Sequence, residues 1–127
     1  FSNANDLAKL MQMYLQNGEY AGERYLSEEV VKEFTKCQFP DNDNRRGAGF
    51  DKAALPDEEG GPASENASQK GFGHSGFTGT LVWADPETQI VYVFLSNRIH
   101  PDATNKKLLD MDVRTNIMEV IFNSVND

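Results

Sequence analysis

The chain is 127 residues long, room for one domain with a core but not comfortably for two, and its 39% hydrophobic and 25% charged residues match an ordinary globular protein. Acidic residues outnumber basic ones 20 to 12, so a net charge of −8 repels phosphate backbones and anionic lipid and leaves no nucleic acid among the expected partners. Cys37 is the only cysteine, which excludes an internal disulfide, and the longest apolar stretch, Ile90 to Leu95, is far below the ~20 residues of a membrane span.

Phe1-Ser2-Asn3-Ala4 carries neither an initiating Met nor a charged and apolar leader, as expected of the middle of something longer. Leu7, Leu10, Met11, Tyr14 and Leu15 then recur at helical spacing behind Ser2 as N-cap, with Gly18 as the stop. Tyr20 to Leu26 reads as a link. Ser27 offers a second N-cap, with Glu28 and Glu29 favouring the helix dipole, and predicts a shorter helix to about Lys36. Pro40 to Arg46 is turn-forming and leads to a brief strand around Ala48 to Asp51.

Residues 52–70 are rich in Gly, Pro, Ser and acid, and are expected to form a mobile surface loop; Asn66-Ala67-Ser68 within them fits the short glycosylation pattern. Gly79 to Ala84 and Ile90 to Ser96 are strand-like and joined by Asp85-Pro86-Glu87-Thr88-Gln89, which predicts an antiparallel hairpin. The second strand is apolar at nearly every position, so both its faces should be covered and it should lie inside a sheet. A terminal helix from about Asp112 presents Val113, Ile117, Val120 and Ile121 to that sheet. These elements make a single α+β domain over 1–127, an antiparallel sheet flanked by helices.

Metal chemistry finds little support. His74, His100 and Cys37 are the only nitrogen or sulfur ligands, and none stands at close ligand spacing. Asp41-Asn42-Asp43-Asn44-Arg45-Arg46 starts like a calcium loop but puts Arg45 where an oxygen ligand is required. Gly71-Phe72-Gly73 lacks a third glycine and runs into a strand, so no phosphate loop and no cofactor is expected.

The informative stretch is Gly71 to Thr80, where glycines alternate with His74 and Ser75 just before the hairpin. Glycines at this density let another backbone approach, so the strand could take an extended substrate and aim a backbone N–H at a carbonyl oxygen. A Gly-rich turn with His74 merely capping a loop is the plainer alternative.

His74-Ser75-Gly76, leading into Thr80 to Glu87 and then Ile90 to Asn97, resembles the third motif of serine β-lactamases and penicillin-binding proteins, of the class C and esterase type, which reads Lys-Thr-Gly or His-Thr-Gly. Phe1 to Leu7 and Gly47-Ala48-Gly49-Phe50 resemble that family's late helix start and the strand before the motif, in the right order. The resemblance implies a partial β-lactamase or transpeptidase fold. It places His74 beside the nucleophile and general base, Ser75 on the substrate's acidic group, Gly76 as clearance for substrate, and the Phe77 N–H as an oxyanion donor.

The departures are as informative. No serine here is followed by Lys three residues later, and Tyr25-Leu26-Ser27, the only match to a Tyr-x-Ser motif, falls after the late helix instead of before it. The resemblance therefore implies no catalytic nucleophile in this chain and a C-terminal part that hydrolyses nothing alone. It further implies an N-terminal part as partner, a small-molecule or peptidoglycan-like substrate, and an extracytoplasmic setting. The strand Ile90 to Ser96 is left with an open edge, through which self-association is expected. A noncatalytic peptide-binding module is the rival reading.

Overall fold

Asn3, one residue beyond the expected Ser2, caps the first helix, α1 (Ala4–Leu15): its side chain accepts from the Asp6 N–H at 3.0 Å while its own amide donates to the Asp6 carboxylate at 2.7 Å. That reciprocal pair satisfies an orphan donor which Ser2 lies too far back to reach. The helix ends where Asn17 turns left-handed (φ 55°), with Asn17 N–H donating to Tyr14 O at 3.1 Å and Gly18 N–H to Met13 O at 2.8 Å. The structure is a computed structural model and describes residues 1–42, 44–55, 58 and 60–126.

Tyr20 to Leu26 is more than a link. Glu19–Tyr20 (β1) and Glu23–Arg24 (β2) pair antiparallel across Ala21 and Gly22, both at positive φ, as a tight two-residue turn demands. Helix α2 (Glu28–Thr35) begins at Ser27 as expected, with Ser27 Oγ accepting from Val30 N–H at 3.3 Å. The strand expected at 48–51 forms later and shorter, as β3 (Asp51–Lys52), because Gly49 at φ 90° and the Gly47 N–H to Phe50 O bond of 3.0 Å curl the run before it.

The main sheet is fully antiparallel, in the order β3, β4 (Phe72–Ser75), β5 (Leu81–Asp85), β6 (Ile90–Phe94). Side chains alternate between its faces. Phe72 and Ala84 face Met11 of α1, with Tyr14, Leu15, Phe50, Val82 and Val91 packed around them. Leu81, Trp83 and Tyr92 face the terminal helix, α4 (Val113–Asn126), which meets them with Met118 and Phe122. A short helix, α3 (Lys107–Asp110), leads into it. The architecture is the expected antiparallel sheet between helices.

Two expectations change. In α4 the buried pair is Met118 and Phe122, while Ile117 and Val120 are 42% and 70% exposed. Apolar residues cover two overlapping stripes of this helix, and the stripe with the larger side chains fills the space over Trp83. Strand β6 has both faces covered, as its apolar run requires, yet it is an edge strand and not an interior one among the described residues.

The connection through 52–70 is anchored at several points among its described residues. Ser64 and Ala67 are buried, and Glu119 of α4 accepts from Ser64 Oγ and from Asn66 Nδ2, the amide of the glycosylation-like triplet. Ser68 donates through its N–H (2.7 Å) and Oγ (2.8 Å) to fully buried Asp85, which also accepts from Glu87 N–H at 2.9 Å in the β5–β6 turn. Lys52, also buried, donates to Lys70 O at 3.0 Å, and burial pushes its ammonium pKa down.

Trp83 has no exposed surface, and its ring lies against Gly71 and Gly73. A Cβ at Gly73 would sit 2.9 Å from Trp83 Cα and collide with Val82 O, whereas one at Gly76 would meet only the Thr80 side chain. Gly73→Ala is expected to lower stability by about 2 kcal/mol, the usual cost of overpacking, against about 0.5 kcal/mol for Gly76→Ala, both read from urea unfolding midpoints. Equal losses at the two sites would show that Trp83 does not set the limit.

Candidate functional site

Beyond Ser75 the backbone turns through Phe77, Thr78 and Gly79: Gly76 N–H donates to Thr80 O at 2.8 Å, Gly79 N–H to Gly76 O at 2.9 Å, and Gly79 sits at φ 94°. Thr78 O accepts from Arg98 N–H and Ser96 Oγ, each at 3.0 Å, which ties the turn to the chain after β6.

The direction of the Gly76 N–H decides what the strand presents. It points to β5, so by antiparallel alternation the N–H groups of Ser75 and Phe77 point to the opposite edge. There β3 stops with Asp51 opposite Gly73, and nothing continues the pairing past that point among the described residues. The Phe77 N–H has no acceptor among them. The strand thus offers two outward N–H donors and the Ser75 carbonyl along an unpaired edge.

The side chains do not converge as closely as their sequence adjacency suggests. His74 and Ser75 leave opposite faces of β4, His74 exposed on the α1 side and Ser75 half-buried on the Trp83 side. Ser75 Oγ makes no hydrogen bond among the described residues. Gly76 is exposed, and Phe77 is 73% exposed with the Arg98 guanidinium 4.8 Å from its ring centroid.

His74 instead meets residues that sequence reading passes over. Its Nε2 is 3.3 Å from Arg46 Nη1 and its Nδ1 2.7 Å from Ser75 O. Arg46 Nη2 lies 3.4 Å from Oδ2 of Asp51, a carboxylate only 4% exposed, and Arg45 Nε donates to Asp51 Oδ1 at 2.9 Å. Arg45 also pairs with Glu58, whose pKa is held below the usual carboxylate range, first by the Leu55 N–H and then by Arg45. The apparent calcium-like run therefore ends in two guanidinium groups folded onto one buried acid. Adjacent arginines in so acidic a chain were the available signal; their shared acid, Asp51, lies close in sequence, but His74, which Arg46 meets, lies 28 residues away along the chain.

A hollow of about 730 Å³ lies elsewhere, between the 53–69 segment and α4, and includes none of His74, Ser75, Gly76 or Phe77 among its walls. Among the described residues no group of His, Cys, Asp or Glu gathers as a metal site, and no helix is long and apolar enough to cross a membrane. What the strand edge can do chemically is accept an extended backbone and polarise a carbonyl.

Proteins titled "Putative D-alanyl-D-alanine carboxypeptidase" from Salmonella paratyphi B (strain ATCC BAA-1250 / SPB7) and Salmonella newport (strain SL254) are each 33% identical over 114 residues, covering 85% of this chain and 24% of theirs. The chain thus spans about a quarter of the length of these relatives. The crystal structure of a β-lactamase from Mycobacterium bovis superposes with a TM-score of 0.73 at 22% identity, over 98% of this chain and 44% of that one, a likeness of fold. The family model described as Beta-lactamase matches residues 1–114, and the chain belongs to that family.

Proposed function

We propose that the stretch His74 to Phe77 is one wall of an acyl-transfer site in a serine hydrolase acting on β-lactams, D-amino-acid peptides or small esters. The unpaired β4 edge carries this reading. An extended substrate lies along it as an added strand, and the Phe77 N–H, free of any internal acceptor among the described residues, points at the carbonyl under attack. The relatives titled as D-alanyl-D-alanine carboxypeptidases favour a peptide ending in D-alanine, and with it a cell-wall setting outside the cytoplasm.

Polarising a carbonyl is not hydrolysing it. With no Ser-x-x-Lys in the sequence, the 127 residues form no acyl-enzyme alone, and the nucleophile and Tyr motif belong to an N-terminal part of the parent protein. The same free edge also suits the second reading, a noncatalytic module that holds peptidoglycan stems.

Two experiments test these points. The chain is expected to leave nitrocefin and p-nitrophenyl acetate unhydrolysed, while D-alanyl-D-alanine muropeptides shift amide resonances confined to Phe72–Thr80. Phe77→Pro, compatible with the first corner of this turn but lacking the N–H, should weaken that binding about tenfold, and Phe77→Ala far less. Turnover abolished by a serine-directed acylating reagent, or shifts elsewhere in the chain, would contradict the proposal.

The second concerns the far edge of the sheet. The same alternation turns the N–H and C=O groups of Val91, Val93 and Leu95 outward from β6, which supports pairing with a second copy when the N-terminal part is absent. Sedimentation should show concentration-dependent association that Leu95→Lys reduces; a monomer at every concentration would sink this idea.

A further inference from the structure

The geometry points to Arg46 as a positioning residue that fixes the proton of His74 on Nδ1. A guanidinium can only donate, so His74 Nε2, 3.3 Å from Arg46 Nη1, must be the accepting nitrogen. A carbonyl oxygen can only accept, so Nδ1, 2.7 Å from Ser75 O, must carry the proton. The two contacts come from different parts of the chain and demand the same neutral tautomer. It is the less common one for an unconstrained imidazole, so it has to be held.

Asp51 holds it. Its buried carboxylate takes Arg46 Nη2 at 3.4 Å and Arg45 Nε at 2.9 Å, so the Arg46 head is tied to the sheet even though 49% of its side chain is exposed. The order is buried acid, guanidinium, imidazole and strand carbonyl, and every polar contact runs from donor to acceptor.

The consequence deepens the proposed site and rests on that reading for its meaning. With Nδ1 committed to Ser75 O and Nε2 to Arg46, His74 has no N–H left for a substrate. The donors flanking the open edge are then the remaining N–H groups of Arg46, a planar fork suited to a carboxylate. A carboxylate-bearing substrate would meet Arg46, with His74 serving to orient it.

The tautomer is directly readable in this chain by long-range proton–nitrogen NMR on imidazole-labelled protein, above the pH range in which histidines are charged. There are only two histidines, and His100→Gln assigns them. The expected pattern for His74 is a protonated Nδ1 and a bare Nε2. Arg46→Met, which keeps the bulk and removes the donor, should swing the ratio about tenfold toward the Nε2–H form, and Arg46→Lys should restore part of it. A wild-type His74 protonated on Nε2 overturns the proposal whatever the variants do. So does an unchanged ratio in a folded Arg46→Met protein. Because no ligand or turnover enters the measurement, failure of the tautomer and failure of muropeptide binding are separate results.

Discussion

Trp83 packed against Gly71 and Gly73 is the contact on which the rest of the molecule depends. The indole has no exposed surface, and it sits where side chains of β4 would otherwise stand. On its other side it is closed by Met118 and Phe122 of α4. Removing such a ring typically costs about 3–5 kcal/mol, a large part of a small domain's stability. The glycines before His74 are therefore fixed by packing first. Gly73 is bare because Trp83 needs the space.

This constraint also shapes the site. A strand left bare at Gly73 under Trp83, closed by a tight turn and left by β3 after one pairing position past Lys52, ends with the Ser75 and Phe77 N–H groups turned to an edge that nothing pairs among the described residues. Chemistry then comes from what surrounds that edge. Arg46 and Asp51 flank His74 on one side, and Arg98 steadies Phe77 on the other. The chain belongs to the Beta-lactamase family and superposes on a β-lactamase fold.

Much of this was legible in the sequence, for definite reasons. The hairpin around Asp85 to Gln89, the Ser27 cap and the Gly-rich strand announce themselves through local chemistry, and the ordered motifs identify the family. What was not legible was long-range. Met118 and Phe122 displace Ile117 and Val120 in the core because of the volume left over Trp83, which no helical periodicity encodes. Strand β6 looks interior by composition and is nonetheless an edge, since composition reports covered faces and not paired edges. Arg45 and Arg46 read as part of a polar turn, and Asp51 as the end of a brief strand, until the fold brings both arginines onto that buried carboxylate and His74 onto Arg46.

Amide hydrogen exchange of the free chain tests the open edge at His74 to Phe77 most directly. His74 and Gly76, bonded into β5, should exchange slowly, while Ser75 and Phe77 between and beyond them exchange orders of magnitude faster. Protection of Ser75 and Phe77 equal to that of their neighbours would mean that the edge is already occupied, and the wall described here would not exist.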